Sequence, residues 1–233
     1  MFPFTFDPMY WLFIGPALLF MLYAQWRVST AYNKWGRVRN TRGIPGVLAA
    51  EQLVRQNGLF GVNIRGIRGH LTDNYDPRNK TLNLSEATAQ QDSVASLAIV
   101  AHEVGHAVQD HTNFALLRLR GGLVPAVNFG SQLGPLLFFV GLLLQFDFLM
   151  WLGIIFFSGA FIFALVTLPV ELDASRRAMN MLTSSGLIVD PQEKRGARAV
   201  LTAAALTYVA ALLTALFQLL YYIMLAAGGR RRD

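Results

Sequence analysis

Four stretches of the chain are apolar for long enough to matter in a bilayer, where a spanning helix takes roughly 17–25 predominantly apolar residues. The first is Met9–Trp26, "MYWLFIGPALLFMLYAQW", which carries no charge and has aromatic residues toward both ends. Aromatic rings at the ends of such a run sit well at membrane–water interfaces. Leu133–Gln145 and Met150–Val170 follow as a pair, separated by a short link that contains Asp147. They read as a transmembrane hairpin. The fourth stretch runs from Ala199 to Ala227, with Tyr221 and Tyr222 near its end.

The region between the first span and the hairpin is patterned differently. "GIPGVLAAEQLVRQNGL" opens with turn residues and continues as an amphipathic helix, with Leu48, Leu53 and Val54 on its apolar side and its end near Gly58. "VNIRGIRGH" reads as a short strand, "LTDNYDPRNK" as a loop or hairpin turn, and "KTLNLS" as a second strand. Ser85 or Asp92 then caps one or two helices through "EATAQQDSVASLAIVAHEVGHAVQD".

Composition agrees with this division. Hydrophobic residues make up 54% of the 233 positions and charged residues 15%, with mean hydropathy +0.39. Soluble domains carry about 25% charged residues. Cysteine is absent, so thiol catalysis, disulfides and Cys-based zinc sites are excluded. The net charge of +6 is spread over segments that flank spans: Arg27 to Arg120 on one side of the hairpin, Arg176 to Arg198 on the other. A nucleic-acid patch would instead be concentrated. The positive-inside rule places both basic segments in the cytoplasm. Arg230, Arg231 and Arg232 at the tail run against that rule if there are four simple crossings. Arg27 follows the first apolar run and no Lys or Arg precedes it, so a retained anchor is expected rather than a cleaved signal peptide.

The chemistry lies in "AHEVGHAVQD". On a helix, His102 and His106 are four residues apart and share a face. Their imidazoles can meet at one metal ion, and Glu103 beside them can act as general base toward water. Gly105 removes a side chain within the motif and permits close approach of another backbone or a substrate. The apolar window Val94–Val108 is shorter than the ~20 residues of a span. Polar residues bound it on both sides, so the helix is expected at a membrane surface and not inside the bilayer. A catalytic zinc takes three protein ligands. His111 is out of phase with the histidine pair, and Thr112 stands where the "HExxHxxGxxH" pattern has its last histidine. His70 is a weaker alternative. Glu171 in "TLPVELDASRRA" directly follows the third apolar stretch, with Asp173 close behind, and is the stronger candidate, although both carboxylates also suit a plain water interface.

At these residues the chain resembles the YugP-like neutral zinc metallopeptidases of bacteria, a membrane family with gluzincin-type sites. The resemblance runs through "DPMYWLFIGPALLFMLYAQ", "GHLTDNYDPRNKTLNLSE", "AHEVGHAVQD", "LVPAVNFGS", "TLPVELDASRRA" and "AALTYVAALLTAL". It implies zinc held by His102 and His106, Glu103 as the catalytic residue, and, by similarity to gluzincins with a distal glutamate, Glu171 as the third ligand. Those relatives often place an Asp four residues after that Glu to orient a ligand histidine. Here the slot holds Ser175.

The expected fold is thus a mainly α membrane protein. About four transmembrane helices accompany a small α+β cytoplasmic zincin-like domain with a short β-hairpin or sheet. The expected division is an anchor at 1–26, the protease domain at 27–132, the hairpin at 133–170, a cytoplasmic segment with the third ligand at 171–198, and a last span with its tail at 199–233. The expected function is a Zn2+ endopeptidase of the bacterial inner membrane, acting on peptide or protein substrates at the cytoplasmic face. Lipid bilayer is its other partner, and nucleic acid is not one. A zinc-binding membrane scaffold is the alternative, and an intact Glu103 argues against it. Asp173, Arg176, His70, Tyr75 and Tyr208 are candidates for supporting the ligands or stabilising an oxyanion. "KTLNLS" is expected as an edge strand for an extended substrate.

Overall fold

A computed structural model describes residues 8–229. The arginines of the tail, whose charge conflicts with four crossings, lie outside the described residues, as does the start of the chain before Pro8. The protein is mainly α. Its helices are α1 (Pro8–Trp35), α2 (Gly46–Gln56), α3 (Glu86–Gln90), α4 (Val94–His111), α5 (Ala115–Leu143), α6 (Asp147–Ser184) and α7 (Pro191–Gly229). Strands β1 (Asn63–Ile67), β2 (Asn74–Asp76) and β3 (Thr81–Ser85) form one small sheet. Four of the described helices, α1, α5, α6 and α7, are long and apolar enough to cross a membrane.

The chain divides into two compact units. The first takes the stretch up to Tyr23, Leu119–Leu168, and the stretch from Thr207 onward. Its helices approach closely where side chains are missing. A Cβ on Gly134 would lie 2.7 Å from the backbone nitrogen of Phe157, and one on Gly153 would lie 2.5 Å from that of Phe138. Small residues serve this purpose in membrane helix pairs, where close backbone contact replaces hydrophobic drive. Phe138 stacks on Tyr222 with ring centroids 4.1 Å apart. The turn at the tip of the α5–α6 hairpin has Gln145 in the left-handed region, with φ 52°.

The second unit comprises Ala24–Arg118 and Pro169–Leu206 and carries the sheet. Its core gathers Leu53 of α2, Leu82 and Leu84 of β3, Leu97, Val100 and Val104 of α4, and Leu182 and Leu187 from α6 and the link beyond it. The buried face of α2 is Gly46, Ala49, Ala50 and Leu53. Leu48, expected on that face, is 51% exposed, because the i, i+3, i+4, i+7 stripe begins at Gly46 and leaves it out of phase. The stripe starts at a glycine because a Cβ there would collide with the carbonyl oxygen of Thr88 at 2.0 Å. Ser93, and not Asp92, caps α4, its side chain accepting from the backbone N–H of Ser96. Asp92 is engaged by the Arg39 guanidinium at 2.6 Å.

The sheet order is β1-β3-β2, with β1 parallel and β2 antiparallel to β3. This corrects the expectation for "KTLNLS". The segment is the central strand and has no open edge. "NYD", inside the stretch expected as a loop or hairpin turn, forms the edge strand β2.

Candidate metal centre and active site

Helix α4 is built to hold polar chemistry in an apolar setting. Val94, Ala95, Leu97, Ala98, Val100, Ala101 and Val104 are fully buried and lock the helix into the core of its unit. Gly105 then meets α6 backbone to backbone: a Cβ at Gly105 would sit 2.7 Å from the carbonyl oxygen of Ala174. That contact brings Glu171 and Ser175 of α6 against the histidine face of α4. Nε2 of His102 lies 3.2 Å from Oε2 of Glu171, and Nε2 of His106 lies 3.5 Å from the same oxygen. One ligand atom from each of the three residues falls within 4.8 Å of the others. Donors around a tetrahedral zinc with bonds of ~2.0–2.1 Å stand roughly 3.3 Å apart. Two imidazoles and a carboxylate are also a known catalytic zinc set. These residues therefore fit a metal ion of that kind.

The outer nitrogens of both rings have partners as well. Oγ of Ser175 is 3.2 Å from Nδ1 of His102, and Oε1 of Gln109 is 3.0 Å from Nδ1 of His106. Each oxygen can accept the Nδ1 proton, which fixes the tautomer and leaves Nε2 free to ligate. Gln109 is fully buried, and its amide nitrogen donates to the Val170 carbonyl at 2.8 Å and to Oδ2 of Asp173 at 2.9 Å. Asp173 in turn accepts from Arg176 and Arg177. The chain His106–Gln109–Asp173 thus ties the C-terminal half of α4 to α6.

Glu103 is buried beside the pair. Burial pushes its carboxyl above the usual carboxylate range, with Glu171 and Asp73 reinforcing the rise and the two imidazoles opposing it. For His106, burial acts downward, but the Glu171 hydrogen bond and the charges of Glu103 and Glu171 outweigh it and hold the imidazole above its ordinary value.

The remaining candidates fall in several places. Asp173 joins the outer network through Gln109, and Arg176 joins it one step further out, through Asp173. The hydroxyl of Tyr75 donates to Oδ2 of Asp110 at 2.9 Å, and burial together with that carboxylate raises its pKa, so it stays a neutral donor. His70 packs edge-on against Tyr32, centroids 4.9 Å apart, and is not grouped with the triad. His111 is exposed at the end of α4. Tyr208 belongs to the other unit. Gln109 is the residue that sequence reasoning missed. Its signal was a polar side chain three positions after His106, one turn further along the same helix.

A family model described as "Putative neutral zinc metallopeptidase" matches residues 10–227. The chain is also 42% identical over 214 residues to the "Putative membrane protease YugP" of Bacillus subtilis (strain 168), covering 92% of this chain and 95% of that protein. No solved structure matches the chain. With nearly the whole chain matched on both counts, and with two imidazoles and a carboxylate drawn together, the protein belongs to this neutral zinc metallopeptidase family.

Proposed function

We propose that the protein is a membrane-embedded zinc endopeptidase that hydrolyses peptide bonds with Glu103 as general base. The observation that carries this reading is a buried carboxylate beside two imidazole nitrogens and a second carboxylate. His102, His106 and Glu171 would hold the ion, with Ser175 and Gln109 fixing the two rings. Zinc bound there would supply Lewis acidity toward the scissile carbonyl and would lower the pKa of water to about 7. The Glu103 carboxylate accepts the proton of the attacking water and delivers it to the leaving amine nitrogen. Its raised proton affinity suits both halves of that transfer.

An extended substrate has a strand to pair with. β2 has β3 on one side only, among the described residues. Tyr75 docks it on Asp110, seven residues beyond Glu103 and on the same side of α4. Strand addition at β2, and not at β3, then lays a peptide along the Glu103 side of the helix. The basic segments flanking the spans support a cytoplasmic active site.

The test uses protein purified in detergent, assayed for zinc content and for casein cleavage beside Glu103→Gln. Retained zinc with cleavage lost supports the reading. Cleavage that survives the substitution removes Glu103 from its role. One equivalent of zinc with no cleavage of any peptide library would favour a scaffold. Reporter fusions after Gly46 and after Arg198 test the orientation, and a periplasmic signal from either overturns it.

A further inference from the structure

Helices α6 and α7 enclose an open cleft of about 360 Å³, lined by Ser175, Arg176, Met179, Arg198, Leu201 and Ala205 among others. Along α6 the lining residues Leu172, Ser175, Arg176, Met179 and Asn180 share one face, and along α7 Arg198, Leu201, Thr202 and Ala205 do so. A short link joins the two helices, so they run antiparallel. The apolar end of the cleft, Leu172 and Ala205, is therefore the end at which both helices continue into their apolar sequence. Arg176, Arg198 and Asn180 lie toward the polar end.

The cations there can be recruited. Arg198 is exposed and has no ion-pair or hydrogen-bond partner among the described residues. Arg176 shares Asp173 with Arg177, and its side chain is 74% exposed. If Arg176 turns to another anion, Asp173 keeps Arg177 at 2.5 Å and remains neutralised.

We propose that this cleft binds the headgroup phosphate of an anionic phospholipid, with the acyl chain leaving past Leu172 and Ala205. Two guanidiniums flanked by an amide and hydroxyls match a phosphate, and an apolar floor that runs into membrane helices matches a lipid rather than a free anion. The site is also wired to the metal centre. Ser175 lines the cleft, and its hydroxyl touches Nδ1 of His102. A lipid seated on Ser175 thereby acts on a metal ligand through its hydrogen-bond partner.

The experiment reads lipid retention, so it stands apart from the peptidase assignment. Full-length protein is placed in nanodiscs of phosphatidylcholine and phosphatidylglycerol at equal mole fraction, and the lipid carried out on the protein is counted by native mass spectrometry. The expected result is a preference for phosphatidylglycerol that falls about fivefold in Arg198→Gln and further in Arg176→Gln/Arg198→Gln. Zinc content should be unchanged in Arg198→Gln, which shows the protein folded. A preference that is equal in all three proteins overturns the proposal. So does displacement of the lipid by millimolar inorganic phosphate, which would make the cleft a free-anion site. Intact lipid preference, with Arg198→Gln instead impairing cleavage only of peptides that carry a free C-terminal carboxylate, would assign the cleft to substrate and overturn it as well.

Discussion

The hydroxyl of Ser175, four residues after Glu171 on α6, stands 3.2 Å from Nδ1 of His102. The ring is thus held by a neutral hydroxyl, with no added negative charge from this partner. Ser175→Ala should lower zinc affinity roughly 10-fold or more, the usual loss when such a partner of a ligand histidine is removed. Ser175→Asp should restore it. Competition with a chromophoric chelator measures both.

Gln109 makes three contacts from a fully buried position. Gln109→Leu keeps the volume but strips Nδ1 of His106 and Oδ2 of Asp173 of their shared partner. Zinc affinity should fall roughly 10–100-fold. Stability should fall by about 1–3 kcal/mol from the unsatisfied groups. Chelator titration and thermal unfolding in detergent separate the two effects.

Gly105→Ala tests the helix crossing. The added methyl meets the Ala174 carbonyl, which is backbone and cannot swing away. Separation of α4 from α6 should cost about 1–3 kcal/mol and draw Glu171 away from both histidines. Zinc content and melting temperature should therefore drop together.

Glu171→Ala should strip most of the zinc, because the two remaining imidazoles make an incomplete set. His111→Ala, on an exposed residue, should leave zinc content unchanged. Metal analysis of the two purified variants checks both. Full occupancy in Glu171→Ala would move the third-ligand role to Asp173 or His70.

Protons compete with the ion for His106, whose imidazole is held above its ordinary value in the metal-free site. Zinc affinity should weaken as pH falls, beginning above the ordinary imidazole value of about 6.5. Stability of the metal-free protein follows the opposite sign. A raised folded-state pKa contributes stability that is full below the unfolded value and is lost as pH rises through the folded one. The melting temperature of chelator-treated protein should thus decline across that window, while zinc-loaded protein should not follow it.

The legible parts of this chain were those set by local spacing. The i, i+4 histidines, the glutamate between them and the long uncharged runs all follow from helix geometry and bilayer thickness. Even Glu171 stood out, as a carboxylate directly after an apolar helix. Strand order was not legible. Asn74 and Asp76 are poor strand formers, so β2 is hidden inside a polar stretch, and the centrality of β3 depends on β1 pairing across from it. Gln109 was hidden differently. In "HAVQDHTN" it reads as the polar end of a helix, and only the arrival of α6 turns it into a buried connector. The Leu48 face failed for a third reason. A stripe that begins on glycine and alanine carries too little hydrophobicity to announce its phase.

The carboxylate and hydroxyl that complete the site lie 69 and 73 positions after His102. A ribosome that has finished α4 has made His102, Glu103 and His106 but not Glu171. Glu171 emerges only after α5 and the apolar run of α6 have been translated. On the proposed ligand set, the metal site therefore assembles only after the chain's own central hairpin has been synthesised.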